Sequence, residues 1–166
     1  RSGRRHVGVV SAAMATIVLV HGAFHGGWCF EPLLPELAAR DVEGVTVDLP
    51  LTTLHADADA VTAVLDRCDG PVTLLGHSYG STTAGFALQV GTGVDDAVLF
   101  GSPGLGTSEV ADLQVAPGHA WLLEARGDAV ADLGAFGADP SGLPAMVRLS
   151  SDATPLPSGL LGAEST

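Results

Sequence analysis

The sequence predicts an α/β protein built on a mostly parallel sheet. Short apolar runs recur along the chain, among them Thr16–Val20, Val45–Val47, Val72–Leu75, Asp96–Phe100 and Ala120–Ala125. Segments with helical spacing lie between several of them, as in repeated βαβ units with right-handed crossovers. Residues 70–91 join one such strand to a helix through the turn Gly76-His-Ser-Tyr-Gly80.

Taken in order, Thr16-Ile-Val-Leu-Val20 is a continuous apolar and β-branched run, as expected of a strand buried on both faces. A Gly-rich loop from His21 to Trp28 follows. Phe30, Leu33, Leu34, Leu37 and Ala38 then recur at helical spacing, with Pro32 and Pro35 suited only to a first turn or a kink. Val45–Val47 is the next strand and Asp57–Arg67 the next helix, with Ala60, Val61, Val64 and Leu65 inward. Val72–Leu75 reads as a central strand, and Ala84 to Val90 as a helix packed on it. Asp96–Phe100 and Ala120–Ala125 are later strands, and Met146–Leu149 can form one more. Residues 102–118 have room for a helical turn but not for a lid domain. No internal repeat is present.

Strand, Gly-x-Ser-x-Gly and helix in succession form the nucleophile-elbow pattern. Such a turn holds its serine in a strained conformation above the sheet edge. Small residues flank it because the strand and helix backbones come close. With 22 glycines in the chain, composition alone gives about 0.2 chance matches to the five-residue pattern. The strand before it and the helix after it therefore carry the weight. Ser78 also stands at a helix N-terminus, where free N–H groups favour developing negative charge.

The 166 residues suffice for one domain with a real core. Hydrophobic residues make up 46% and charged residues 16%, which disfavours disorder. A net charge of −12 disfavours nucleic acid and anionic membranes as partners. Cys29 and Cys68 form no disulfide framework and read as small buried thiols. No Cys/His cluster has zinc-site spacing. Arg1, Arg4 and Arg5 before Val7–Val20 look like a signal peptide, but cleavage there would remove a strand the fold needs. The expected organisation is a leader or appended remnant over 1–13 with Met14 as a natural start, one domain over 14–150, and a flexible tail over 151–166. The expected location is cytoplasmic.

Val18-Leu-Val-His-Gly-Ala-Phe-His-Gly-Gly-Trp28 and Val45-Thr-Val-Asp-Leu-Pro50 resemble the oxyanion-loop region of small esterases and hydroxynitrile lyases of the α/β-hydrolase superfamily. Leu75–Thr83, Val94–Gly104, Ala111–Leu113, Pro117–His119 and Phe136–Pro140 are similar to an α/β-hydrolase family of unknown function. The resemblance covers about residues 16–140, and its second half is the more specific. It implies the α/β-hydrolase fold, with a mostly parallel sheet, helices on both faces and minimal or no lid. It also implies Ser78 as nucleophile and the backbone N–H groups of Tyr79 and of Ala23 or Phe24 as an oxyanion hole. Asp128 would be the triad acid, although from its own surroundings it also reads as a turn residue after Gly127. The implied activity is hydrolysis of a small-molecule carboxylic ester without a metal or organic cofactor.

The chain departs from that pattern in its histidines. The six are His6, His21, His25, His55, His77 and His119, so none follows Asp128, where the superfamily's base is expected. A truncated, frameshifted or divergent C-terminal part would each explain this. His25 and His21, in the Gly-rich loop, are the substitutes the sequence offers, although bracing that loop is their simpler role. His77 adjoins Ser78 on an element where neighbouring positions point in different directions. His119 fixes a loop or faces solvent, and His55 lies on a surface segment. Asp48 reads as a turn residue, Asp95 and Asp96 as a solvated turn, and Trp28 as core or pocket wall. The readings left standing are a serine esterase of weak activity, a catalytically impaired hydrolase fold that binds a ligand, and a hydroxynitrile-lyase-like lyase.

Overall fold

The computed structural model describes residues 14–151 except 126, 130, 132 and 133. The leader expected over 1–13 and nearly all of the tail expected over 151–166 lie outside the described residues. Six strands form one sheet among these residues: β1 (Ala15–Val20), β2 (Val42–Val47), β3 (Val72–His77), β4 (Asp96–Phe100), β5 (Ala120–Leu123) and β6 (Val147–Leu149). Their order is β2-β1-β3-β4-β5-β6, and every neighbouring pair is parallel. This is the predicted fold class.

The strand order places the site. From β1 the chain crosses to β2 on one side, then returns past β1 to β3 on the other. The connections leaving the carboxyl ends of β1 and β3 thus run in opposite directions and leave a crevice between them, the place where open α/β sheets bind ligands. Right-handed crossovers also put the first helix on one face and the next two on the other. The contacts agree. The α1 helix (Leu34–Ala38) sets Leu34 and Leu37 over Gly44 of β2, on the Leu19 face. Helices α2 (Leu54–Leu65) and α3 (Tyr79–Leu88) pack on the Val18, Val20 and Leu74 face.

That second face holds the core. Val18, Val20, Leu74, Leu99 and Leu122 are fully or almost fully buried against Val61 and Leu65 of α2 and Ala84, Ala87 and Leu88 of α3. Each buried aliphatic side chain of this size contributes about 1.5–3 kcal/mol. In β3, β4 and β5 burial alternates residue by residue, with the opposite face half-buried.

Several elements differ from the sequence expectation. The α2 helix starts at Leu54, earlier than Asp57, because the Thr53 hydroxyl caps it by accepting the Ala56 N–H at 3.1 Å. The α3 helix starts at Tyr79, directly after Ser78 as the elbow pattern expects, and its first turn of Gly80, Ser81, Thr82 and Thr83 is buried ahead of the apolar stretch from Ala84. Residues 27–30 and 110–113 form single 3₁₀ turns. Asp95 and Asp96 are not merely solvated. The Asp95 carboxylate accepts the Val72 N–H at 2.8 Å, and Asp96 binds the ring nitrogens of His119 and Trp121. Trp28 is not core, being 62% exposed. Cys29 and Cys68 are free and only half-buried, and burial raises both thiols above their ordinary pKa.

Candidate active site

Ser78 links β3 to α3 with φ 52° and ψ −127°. Only a left-handed backbone of this kind reverses the chain from strand to helix within one residue, and in a non-glycine residue it is strained. The turn is held in place from both sides. The Ser78 N–H donates to Phe100 O at 2.9 Å, and Ser78 O accepts the Ser81 N–H at 2.8 Å and the Ser81 hydroxyl at 2.6 Å. The Ser78 hydroxyl itself makes no hydrogen bond among the described residues.

Close backbone approach explains the two flanking glycines. A β-carbon on Gly80 would lie 2.3 Å from His21 O and 2.5 Å from Val20 O, so α3 starts directly against the end of β1. One on Gly76 would lie 2.8 Å from the Ser81 α-carbon. The Gly-rich loop after β1 begins beside the serine, since a β-carbon on Gly22 would lie 3.2 Å from Ser78 Cβ and 3.3 Å from His77 Nδ1. The first residues of this loop and the first turn of α3 thus meet at the crevice between β1 and β3. Among the described residues no acceptor takes the backbone N–H of Ala23, Phe24 or Tyr79.

The histidines divide by what their rings touch. His21 is buried, and both ring nitrogens are engaged. Nδ1 lies 2.8 Å from Gly22 O, and Nε2 accepts the Leu49 N–H at 3.1 Å. This pairing puts the proton on Nδ1 and leaves no lone pair for proton transfer. His25 is exposed, with Nδ1 3.0 Å from Ala23 O and its ring against Trp28. His77 stacks on Phe100 with ring centroids 4.7 Å apart. Its pKa is lowered, first by burial and then by the charge of His25, against the opposing pull of Asp128.

Asp128 lies in the loop after β5, where its Oδ1 accepts the Ala131 N–H at 3.3 Å. A β-carbon on Gly101 would lie 3.6 Å from Asp128 Oδ2 and 3.8 Å from His77 Nε2, so the carboxylate and that imidazole border the same point. Asp48 ties the Gly-rich loop to β2 by accepting the Gly27 N–H at 2.7 Å. His55 and His119 lie away from these groups, against Phe86 and Asp96.

A cleft of about 400 Å³ opens beside Tyr79 and Ala23. Its walls are Ala23, Phe24, Leu51, Leu54, Tyr79 and Phe136, with Thr52 and Thr53 between the leucines. The sequence reading had missed Asp57, which shapes this wall. It is fully buried, accepts the Tyr79 hydroxyl at 2.6 Å and accepts the Leu51 N–H at 2.7 Å. Its signal is legible in retrospect, because an acid sits four and eight residues before Val61 and Leu65 on the apolar stripe of α2. Burial, then the bond and charge of Asp57, push the Tyr79 pKa up to about 12. Among the described residues no cluster of His, Cys, Asp and Glu could hold a metal ion, and no helix is long and apolar enough to cross a membrane.

Comparison with known proteins gives the family. Uncharacterized proteins of Mycobacterium tuberculosis and Mycobacterium bovis are each 38% identical over 134 residues, covering 78% of this chain. The chain spans 47% of their length. A pyrethroid hydrolase of Sphingobium wenxiniae is 32% identical over 87 residues, 44% of this chain and 30% of that protein. The crystal structure of polyneuridine aldehyde esterase superposes with a TM-score of 0.51 and 26% identity, over 61% of this chain and 46% of that one. The profile described as alpha/beta hydrolase matches residues 48–138, and the chain belongs to that family.

Proposed function

We propose that the protein is a serine hydrolase acting on carboxylic esters, with Ser78 as its nucleophile. The observation that carries this reading is the Ser78 backbone, strained at φ 52° and ψ −127° between β3 and α3. Strain of this kind persists only where surrounding structure imposes it, and it clusters at functional sites. The likeness to proteins named as a pyrethroid hydrolase and polyneuridine aldehyde esterase supports the ester class.

In this mechanism Ser78 Oγ attacks the ester carbonyl carbon and its proton passes to a base. The tetrahedral intermediate collapses, the alcohol leaves with a proton, and the acyl group stays on Ser78 until water releases it. The unpaired N–H groups of Tyr79 and of Ala23 or Phe24 stabilise the oxyanion, each such donor typically contributing about 2.7–4 kcal/mol. Asp128 is the acid of the triad. His25 and His77 are the imidazoles at this site, and neither hydrogen-bonds Ser78 among the described residues. Turnover by this chain is accordingly weak. Loss of a triad histidine can cost about 10⁶ in kcat and still leave roughly 10³–10⁴ over water.

The unpaired Ser78 hydroxyl also favours a second reading, a hydrolase fold that binds its ligand without turnover. A fluorophosphonate probe separates the two. Labelling of the chain that disappears in Ser78→Ala supports an activated serine. Equal labelling of both proteins refutes the nucleophile. Hydrolysis of p-nitrophenyl butyrate, compared between the same two proteins, measures the turnover. A vigorous rate abolished by Ser78→Ala would show that a competent base is present, and His25→Ala would then test its identity.

A further inference from the structure

We propose that the cleft beside Ser78 takes an aromatic or similarly bulky apolar group of an uncharged ester, a substrate class that rests on the ester-hydrolase reading above. The resemblance implied only a small-molecule carboxylic ester. The cleft narrows this: at about 400 Å³ it lies within the range of sites that enclose whole ligands, and an acetyl group would leave most of it to water.

The chemistry of the walls sets the class. Phe24, Leu51, Leu54, Tyr79 and Phe136 present carbon, and no lining residue is charged. Tyr79 carries a hydroxyl, but that group is already given to Asp57. What remains is a ring, set edge-to-face against Phe136 with centroids 6.0 Å apart. Offset and edge-to-face contacts of this kind extend readily to a third ring. No cation lines the cleft to neutralise a carboxylate, and the chain as a whole carries a charge of −12. An anionic ligand would therefore enter against the field.

The mouth is built the same way. Phe24 is 96% exposed and held at φ 64°, while Leu51 is 45% exposed at φ 52°. Both are strained non-glycine residues that hold apolar side chains toward solvent. Uncovered apolar surface beside a crevice marks a binding site, and an aromatic ligand would cover these two residues along with the cleft floor.

The test measures binding to the full chain without turnover, by amide chemical shifts in titrations with three small probes. Benzylacetone is a neutral carbonyl compound with a phenyl ring, butanone lacks the ring, and hydrocinnamate replaces the ketone with a carboxylate. Benzylacetone should bind about tenfold or more tighter than either, as burial of a phenyl group predicts. Any smaller preference overturns the assignment. Leu54→Trp, which fills the cleft, and Phe136→Ala, which removes a wall, should each lower the preference over butanone. Retention of the full preference by either folded variant overturns it too, and if neither variant folds, the three-probe comparison decides alone. Preference for the ring without ester turnover would refute only the hydrolase reading. Turnover without that preference would refute only the cleft.

Discussion

The Tyr79 hydroxyl donates a 2.6 Å hydrogen bond to Asp57, and the same carboxylate receives the Leu51 N–H at 2.7 Å. One buried acid thus ties the residue after Ser78 to the leucine across the cleft. Tyr79 is the chain's one tyrosine, so tyrosinate absorbance reads this pair alone. The midpoint should fall near 12 in the native protein, raised by burial and then by Asp57, and should drop toward 10 in Asp57→Asn. Because the folded value lies above the unfolded one, the associated stability is fully present below about pH 10 and is lost as pH rises through about 12. Asp57→Ala, which leaves both donors unpaired, should cost about 3 kcal/mol in urea unfolding. A native midpoint near 10 would show that the bond does not form in solution.

His77 offers a second titration. Its pKa is lowered by burial and then by His25, while Asp128 pulls the other way. Imidazole NMR should therefore show His77 titrating below the ordinary histidine value. Asp128→Asn should lower it further and His25→Ala should raise it. A folded value below the unfolded one means that the stability is present above about pH 6.5 and declines as pH falls through the folded pKa. If neither substitution moves His77, these three side chains are not neighbours in solution, and Asp128 loses its claim on the site.

The close approach of α3 to β1 makes Gly80→Ala a direct test of the turn. The added carbon would lie 2.3 Å from His21 O, a backbone atom that can yield only by moving the helix. The expected cost is about 3 kcal/mol, the upper range for overpacking, read as a lowered urea midpoint. Fluorophosphonate labelling of Ser78 should fall with it, because the shift carries Tyr79 and the start of α3 away from the loop after β1. Unchanged stability would mean that helix and strand are further apart than described.

How far the sequence reached depends on which signal each element carries. The boundaries of β4 match the reading at both ends, because Asp95-Asp96 and Gly101 punctuate a clean apolar run. The start of α3 was legible only through the elbow, which puts Ser78 at a helix N-terminus, because Gly80-Ser-Thr-Thr83 is buried on nearly every side and carries no apolar stripe. Ser78 was legible from its flanking glycines, whose need is steric and local. Asp57 was legible only as an acid on the apolar stripe of α2, because its partners Tyr79 and Leu51 meet it only after α2 and α3 have packed. Trp28 went the other way: an aromatic expected in the core or as a pocket wall stands in solvent beside His25, in a loop tied to Asp48.

The strain at Ser78 can be measured by changing only its β-carbon. Ser78→Ala and Ser78→Gly both remove the hydroxyl, which makes no hydrogen bond among the described residues, so the two variants differ in little else. Alanine keeps the penalty of a left-handed backbone, about 1–3 kcal/mol. Glycine removes it but adds about 0.5–1 kcal/mol of chain entropy on folding. Ser78→Gly should therefore be the more stable of the two by about 1 kcal/mol in urea unfolding. Equal stability, or a more stable alanine variant, would show that the φ of 52° carries no energetic cost. A more stable glycine variant that no longer labels would show that the fold holds a serine where glycine fits better, and that the hydroxyl is what the strain maintains.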